Sequence, residues 1–200
     1  MLLLKVLACI FFTLDFTHGS PKCVKDAAGV YKLNGKSCAS TTRYNLSQRG
    51  GCGCGPTGST NPFNWELDNF VAAVNLKFFD DNGDRQFCGH ECGVCVKLTP
   101  TGGFVAGKGH SPHNLTPTIF LITNVCPTTG TDEWCKIGGK PGSNQTNSHG
   151  YEAHFVLQNH SNQISNLLGW DNPEVTWEVV TCPSDFQTKY HQCECFSAAG

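Results

Sequence analysis

The number and spread of the cysteines limit the fold of this chain more than any other feature. Of thirteen cysteines, Cys9 lies in an apolar N-terminal segment, which leaves twelve in the rest of the chain. An even number of cysteines in a short extracellular chain predicts a disulfide framework, here of six bridges, whose pairing cannot be read from spacing. The twelve are Cys23, Cys38, Cys52, Cys54, Cys88, Cys92, Cys95, Cys126, Cys135, Cys182, Cys193 and Cys195.

The N-terminal segment has the form of a secretory signal peptide. Lys5 precedes the apolar residues 6–12, and residues 17–19 include small side chains at a plausible cleavage site. We therefore expect residues 1–19 to be removed and residues 20–200 to form a single secreted, extracellular domain. No later stretch approaches the roughly 20 apolar residues of a transmembrane helix, and about 180 residues suit one hydrophobic core.

The charge of the chain argues against nucleic acid and membrane partners. A net charge of -2 at pH 7 and an isoelectric point near 6.4 provide no strongly basic surface for polyanions. A metal site at Cys88, Cys92 and Cys95 with His90 is the weaker alternative, because this spacing in a secreted chain favours disulfides. We expect a monomer with no metal or other cofactor.

Short strand signals alternate with turn residues in the second half of the sequence. Each signal is rich in β-branched or aromatic residues, and together they cover residues 93–99, 118–124, 151–158 and 175–181. One helix is predicted by apolar residues at helical spacing, namely Leu67, Phe70, Val71, Val74 and Phe78. These patterns predict a mainly β barrel with one or two short helices.

Three segments rich in glycine, proline, serine and asparagine are longer than ordinary connections. They cover residues 50–61, 101–117 and 128–148. Loops of this length usually carry a binding site, so we expect the ligand to contact them.

Four ordered segments resemble glycoside hydrolase family 45. Residues 41–52 read TTRYNLSQRGGC, where the family signature has a small residue, Thr-Arg-Tyr, an aromatic residue, aspartate, five further residues and cysteine. Residues 92–99, 122–127 and 154–157 follow in the family's order and read CGVCVKLT, ITNVCP and HFVL. The resemblance covers nearly the whole chain after residue 19, and it looks especially like the short animal enzymes known from molluscs.

The resemblance implies a fold and a reaction. The fold is a six-stranded double-psi β-barrel with long disulfide-linked loops, which expansins and barwin-like proteins share, and it carries an open groove for a β-1,4-glucan such as cellulose. The family's members are inverting endo-β-1,4-glucanases. Inversion needs a carboxylic acid and a carboxylate base roughly 6.5–9.5 Å apart, so that a water molecule fits between them.

Both aspartates of this mechanism are missing from the chain. The resemblance places the base at Leu46 and the acid at Val156, and neither side chain can exchange a proton. We therefore expect a non-hydrolytic pseudoenzyme that binds polysaccharide, either a β-glucan or, alternatively, chitin or a matrix glycan. Two other functions stay open: an active endo-β-1,4-glucanase with a relocated acid, and an expansin-like protein that loosens cell walls.

Asn124 and His154 are the candidates for an auxiliary catalytic role. One branch of the family that lacks the usual base is thought to use an asparagine at the position of Asn124, and His154 belongs to the same motif as Val156. A relocated acid would come from His154 or from a loop carboxyl. The loop candidates are Asp80, Asp81, Asp84, Asp132 and Glu133.

Ligand binding is predicted for four residues. They are Tyr44, Asn124, Trp134 and His154. Aromatic rings supply flat apolar faces for sugars, and the polar side chains supply hydrogen bonds. Trp65 is a further stacking candidate, whereas Trp170 and Trp177 are better suited to the core.

Four Asn-X-Ser/Thr sequons predict a glycoprotein with glycans on surface loops. They lie at Asn45, Asn114, Asn144 and Asn159. Asn45 occupies the aromatic position of the family signature, so a glycan on it would crowd the groove.

Overall fold

The computed structural model describes residues 21–45, 47–79, 87–126 and 132–198. The strands in these ranges are β1 (Val24–Lys25), β2 (Tyr31–Leu33), β3 (Lys36–Tyr44), β4 (Val71–Asn75), β5 (Cys95–Phe104), β6 (Thr118–Cys126), β7 (His154–Gln158) and β8 (Pro173–Val180). Six of them form a ring in the order β3, β7, β4, β6, β5, β8, which closes where β8 pairs with β3. The six-stranded barrel expected from the sequence is confirmed.

Two of the six ring pairings are parallel. Strand β3 runs parallel to β7 and β4 runs parallel to β6, whereas the other four ring pairs are antiparallel. A tight turn cannot join parallel strands, so the chain needs long connections between them. The arrangement agrees with the double-psi barrel, and it explains why so much of the chain lies in loops.

The barrel interior is filled by the inward faces of the ring strands. Ala72 and Val74 of β4, Ile122 of β6 and Phe155 and Leu157 of β7 are all buried in one apolar cluster. Because side chains alternate across a strand, the residues between them face the outside of the barrel. That outward face carries the candidate site.

The predicted helix is wrong over most of its length. Helix α1 (Asn64–Asp68) is short, and the chain then continues as strand β4 (Val71–Asn75). Every residue of β4 is buried between β6 and β7. A strand buried on both faces loses the alternation of apolar and polar residues, so its apolar run imitates a buried helix.

The four predicted strands are present with shifted ends, as β5 to β8. Strand β3 was missed because its sequence, KSCASTTRY, consists mainly of small and hydroxyl-bearing residues. The remaining helices are α2 (Asp132–Cys135), α3 (Ser184–Tyr190), α4 (Glu194–Ala198) and a π-helical turn (Gln163–Leu168). No helix within the described ranges is long and apolar enough to cross a membrane.

All twelve cysteines after Cys9 form disulfides, as the sequence predicts. The bridges are Cys23–Cys38, Cys52–Cys92, Cys54–Cys193, Cys88–Cys195, Cys95–Cys182 and Cys126–Cys135. Three of them attach the segment 182–195, here called the C-terminal clasp, to residues 54–95. Cys88, Cys92 and Cys95 each pair with a distant partner, which contradicts the alternative of a metal site at these cysteines.

Candidate functional site

A row of four paired residues crosses the outer face of the barrel. Thr42 of β3 pairs with Val156 of β7, Val156 pairs with Ala73 of β4, and Ala73 pairs with Asn124 of β6. We call these four residues the cross-strand row. Adjacent strands are about 4.8 Å apart, so the backbones of Val156 and Asn124 lie roughly 10 Å from each other. The fold therefore brings two sequence-predicted site positions onto one surface.

Val156 lies in apolar surroundings. Its half-buried side chain packs with Trp134 against Ala73 and the Cys126–Cys135 disulfide. None of these contacts supplies a carboxyl group that could act as a general acid. Leu46, which the sequence resemblance assigns to the base position, lies outside the described residues, as do Asp80, Asp81 and Asp84.

His154 lies beside the cross-strand row, two residues before Val156 on the same face of β7. Its Nδ1 atom hydrogen-bonds the Ser40 hydroxyl at 2.8 Å, and its Nε2 atom hydrogen-bonds the Thr42 hydroxyl at 3.0 Å. Burial lowers the pKa of His154 to about 3, so the ring stays neutral. Because the residue is fully buried and both nitrogens are engaged, His154 orients the Thr42 hydroxyl, and its role in ligand binding stays a prediction.

Asn124 is held in a fixed orientation at one end of the row. Its Oδ1 atom accepts hydrogen bonds from the backbone amides of Gly51 at 2.7 Å and Val125 at 2.8 Å. A Cβ atom on Gly50 would lie 2.6 Å from the Asn124 Cγ atom, so only glycine fits at that position. With Oδ1 occupied, the Nδ2 group is the part of Asn124 that can donate to a ligand or to a neighbouring hydroxyl.

Tyr44 keeps partial exposure, but its hydroxyl oxygen is buried. Burial, followed by the charge of Glu66, raises the pKa of Tyr44, and a hydrogen bond with Asn124 acts in the opposite direction. Glu66 itself is fully buried on α1. Burial raises the pKa of Glu66 to about 8, although the Thr123 hydroxyl lowers it in part. Sequence reasoning missed Glu66, because a glutamate within a predicted amphipathic helix is usually solvated.

Trp134 borders the row on the side of β7. Its ring packs against those of His149 and His154, with centroids 4.1 and 5.2 Å apart, and remains half exposed. Glu133, beside it, is exposed and paired with Lys108, which holds the pKa of its carboxyl below the usual range. The side chain of Asp132 lies outside the described residues.

The other three tryptophans contribute to packing. Trp170 is buried in the barrel core and donates from Nε1 to the Asn114 carbonyl at 2.9 Å. Trp177 packs against Phe78, with ring centroids 4.8 Å apart. Trp65 packs between two clusters that contain most of the disulfides.

Two cavities continue the row at its ends. At the Thr42 end, a cavity of about 590 Å³ is lined by Thr42, Arg43, Tyr44, Asn45, Asn159 and Asn172. At the Asn124 end, a cavity of about 310 Å³ is lined by residues 48–51, by Ser59 and Thr60, and by Phe87. Phe87 is 49% exposed and was not anticipated from the sequence, where it is a lone aromatic residue before a cysteine. We call the cross-strand row and these two cavities the groove.

The sequons differ in what their side chains do. Asn159 Oδ1 accepts from the backbone amides of Ile164 and Ser165 at 3.0 and 3.1 Å, and so orders the start of the π-helical turn. Asn114 Oδ1 accepts from the Thr116 amide within its own loop. Asn144 and Asn45 are exposed, and Asn45 lies in the wall of the groove.

Comparisons with known proteins agree with this architecture. A family model described as EXPB1-like domain 1 matches residues 39–188. An endoglucanase of Mytilus edulis is 43% identical over 173 residues, which are 82% of this chain and 93% of that protein. In a crystal structure with cellobiose, the GH45 endoglucanase EG27II is 56% identical with a TM-score of 0.84, over 86% of this chain and 96% of that one. The blue mussel endoglucanase Cel45A gives a TM-score of 0.80 at 40% identity, over 88% and 99% of the two chains.

Proposed function

Because this chain belongs to glycoside hydrolase family 45, we propose that it is a secreted, monomeric protein that binds a β-1,4-glucan in the groove without hydrolysing it. The observation that carries the proposal is Val156, an apolar side chain packed against an apolar cluster, at the position that the sequence resemblance assigns to the acid. The proposal includes removal of residues 1–19 as a signal peptide and a single domain at residues 20–200. Cellulose is the first ligand to test, because the structure of EG27II, a related enzyme, was determined with cellobiose.

We expect no hydrolysis because the side chains at the acid and base positions cannot donate or accept a proton. General acid and base groups contribute roughly 10²–10⁴ each to the rate, and neither valine nor leucine can act as one. His154 is neutral and its nitrogens are engaged. Glu152, on the segment before β7, is bound by Lys32 at 2.7 Å and by the Gly142 amide at 2.7 Å, and these hydrogen bonds lower its pKa although burial would raise it. Its carboxylate is thus committed to structural contacts.

The groove keeps features that suit sugar binding. Pyranose rings need flat apolar faces together with donors and acceptors, and the groove contains the exposed ring of Phe87 and has the partly exposed ring of Trp134 beside Val156. Asn124 offers its Nδ2 group, and Ser59 and Thr60 line the cavity that contains Phe87. Loss of the acid therefore leaves a surface that can still hold a polysaccharide.

The decisive experiment measures binding and hydrolysis in one preparation. Purified protein is incubated with insoluble cellulose and with chitin for the depletion assay, and with soluble carboxymethylcellulose for the release of reducing ends. We expect depletion from solution by cellulose and no release of reducing ends. A Phe87→Ala, Trp134→Ala variant serves as the binding control and is expected to stay in solution. Turnover by the parent protein would overturn the non-hydrolytic proposal.

Active hydrolysis is the second candidate, favoured by the relatives, which are endoglucanases. It requires a carboxyl from another part of the chain, and Asp80, Asp81, Asp84 and Asp132 are the ones to test. If the parent protein releases reducing ends, Asp→Asn changes at these positions identify the acid by abolishing the release.

Wall loosening is the third candidate, and the match to EXPB1-like domain 1 favours it. An expansin-like protein would extend cellulose-rich wall strips held under load while releasing no sugar. Extension together with an absence of reducing ends would support this candidate over simple binding, whereas binding without extension would contradict it.

Glycosylation is part of the proposal for a secreted glycoprotein. Enzymatic removal of N-glycans from protein secreted by a eukaryotic host should lower its mass, and peptide mapping identifies the sites among Asn45, Asn114, Asn144 and Asn159. An occupied Asn45 would place a glycan in the wall of the groove and should weaken cellulose binding compared with an Asn45→Gln variant.

A further inference from the structure

We infer that Glu66 is a positioning residue of the groove, whose buried carboxyl holds the hydroxyls of Tyr44 and Thr123 and thereby fixes the outward amide of Asn124. The inference rests on the proposed function, since it assigns a role in ligand binding to a residue beneath the same site. It does not make Glu66 a catalytic residue, because the side chain has no access to the groove surface.

The location of Glu66 is the first observation. Helix α1 has five residues, and Glu66 is the only one of them whose side chain is buried. A glutamate is rarely buried without compensation, because desolvating a carboxylate is costly. If the Glu66 side chain pointed to solvent, this cost would be avoided. Its inward orientation therefore suggests that the buried carboxyl has a specific role.

The neighbours of Glu66 are the second observation. The two carboxyl oxygens of Glu66, the Tyr44 hydroxyl and the Thr123 hydroxyl are all buried, and no hydrogen bond of ordinary geometry satisfies any of them. Thr123 is nevertheless within hydrogen-bonding influence of Glu66, and Glu66 acts electrostatically on Tyr44. The Tyr44 and Thr123 hydroxyls can each donate a hydrogen bond, and the Glu66 carboxyl oxygens can accept. Small side-chain rotations would therefore be enough to form hydrogen bonds between them.

The connection to Asn124 is the third observation. Thr123 directly precedes Asn124 at the irregularity where β6 has one more residue than β4. Such a bulge re-aims the side chains next to it. The Asn124 side chain also lies close enough to the Tyr44 hydroxyl to lower the pKa of Tyr44. Glu66 therefore reaches Asn124 along two routes, through the Thr123 backbone and through the Tyr44 hydroxyl.

The protonation of Glu66 fits this role. Burial keeps the carboxyl neutral at pH 7, and a neutral carboxyl has one donor and further acceptor capacity. It can accept from the Tyr44 or Thr123 hydroxyl without placing a negative charge below the groove. Glutamine has nearly the same shape and the same neutral charge, so it should replace Glu66 in this position.

The test compares Glu66→Gln and Glu66→Ala with the parent protein and with Glu174→Ala. Glu174 is a matched control, since it is also fully buried, but it binds Tyr151 and the Cys23 amide at the end of the molecule that carries β1 and β2. Three quantities are measured: the melting temperature, the cellulose-binding constant, and the NMR resonances of the Asn124 side-chain amide, assigned with Asn124→Asp.

We expect Glu66→Ala to weaken cellulose binding by about tenfold or more, the scale of leaving buried polar groups unpaired, and to shift the Asn124 amide resonances. Glu66→Gln should restore both properties. Glu174→Ala should lower the melting temperature while leaving binding and the Asn124 resonances unchanged. If Glu66→Ala only lowers the melting temperature, Glu66 is a structural residue and the inference is wrong.

Two outcomes separate this inference from the proposed function. If the parent protein does not bind cellulose, the glucan proposal fails, and the Asn124 resonances still decide the role of Glu66. If Glu66→Ala does not fold, Glu66→Leu removes the carboxyl at nearly constant side-chain volume. That variant should shift the Asn124 resonances, and unchanged resonances would overturn the inference.

Discussion

At the scale of single residues, the proposed lack of hydrolysis depends on Val156. Its neighbours Ala73, Trp134 and the Cys126–Cys135 disulfide form an apolar site. An aspartate introduced there would be poorly solvated, which raises the pKa of a carboxyl and favours the protonated form that a general acid needs. The residues around Val156 are therefore compatible with the missing chemistry.

We predict that the double change Leu46→Asp, Val156→Asp introduces endoglucanase activity. The two carboxyls restore the acid and the base of the inverting mechanism, so release of reducing ends from carboxymethylcellulose should exceed that of the parent protein by about 10² or more. The matched control is Leu46→Asn, Val156→Asn, which has similar shape but no acid. Equal rates for the two double variants would show that the groove has diverged beyond its catalytic positions.

Glu66 should make stability depend on pH. Its folded-state pKa is about 8, against 4.5 for an unperturbed glutamate. The unfolded chain therefore loses this proton first, and stability should fall as the pH rises from 4.5 to 8, by at most about 1.4 kcal/mol per pH unit. Urea unfolding across this range should show the fall in the parent protein and less of it in Glu66→Gln.

His154 makes the opposite contribution at lower pH, which is why the comparison with Glu66→Gln is needed. Its pKa is lowered from 6.5 to about 3, so the stability it contributes is present above pH 6.5 and is lost as the pH falls. Identical pH profiles for the parent protein and Glu66→Gln would contradict a neutral buried Glu66.

At the scale of secondary-structure elements, the loop of residues 48–51 determines the shape of the groove next to β6. The Gly51 amide donates to Asn124 at 2.7 Å, and Gly50 has no room for a side chain beside the same residue. The loop and the strand thus fit together only with glycine at residue 50.

We predict that Gly50→Ala displaces the Asn124 side chain and reduces cellulose binding several-fold. Gly58→Ala is the control in a neighbouring loop, because a Cβ atom there meets nothing within 4 Å. Its positive φ of 75° still makes the change mildly destabilising, by about 1 kcal/mol. Depletion isotherms on cellulose should separate the two variants, and equal binding by both would contradict the role given to the loop.

The elements also show what the sequence could and could not predict. Strands β5 to β8 were predictable because their β-branched and aromatic residues stand between turn signals. Strand β4 was mistaken for a helix because full burial removed its alternation, and β3 was missed because small hydroxyl residues fill it. The motifs did locate Asn124 and Val156, but only the pairing of β7, β4 and β6 shows that they share one row.

At the scale of the whole molecule, the disulfides divide the protein into a ring and an attached clasp. Three bridges join the C-terminal clasp to residues 54–95, the segment that includes Phe87: Cys54–Cys193, Cys88–Cys195 and Cys95–Cys182. Cys23–Cys38 instead ties the N-terminal segment, which includes β1, to β3. The bridges at the two ends should therefore have different consequences for binding.

We predict that removing Cys54–Cys193 with alanines weakens cellulose binding, whereas removing Cys23–Cys38 does not. Each loss should cost about 2–5 kcal/mol of stability, because the unfolded chain is released from a constraint. Thermal unfolding and depletion by cellulose, measured together below both melting temperatures, distinguish the effects. Unimpaired binding by the Cys54→Ala, Cys193→Ala variant would show that the clasp does not shape the groove.

Closure of the six-stranded ring also affects how readily copies of the protein aggregate. Each ring strand pairs with a neighbour on both sides over part of its length, which leaves no fully unpaired strand edge in the ring to recruit a strand from another molecule. The outermost strand, β1, has only two residues, and one of them is Lys25. We therefore expect the folded protein to have little tendency to form fibrils at high concentration.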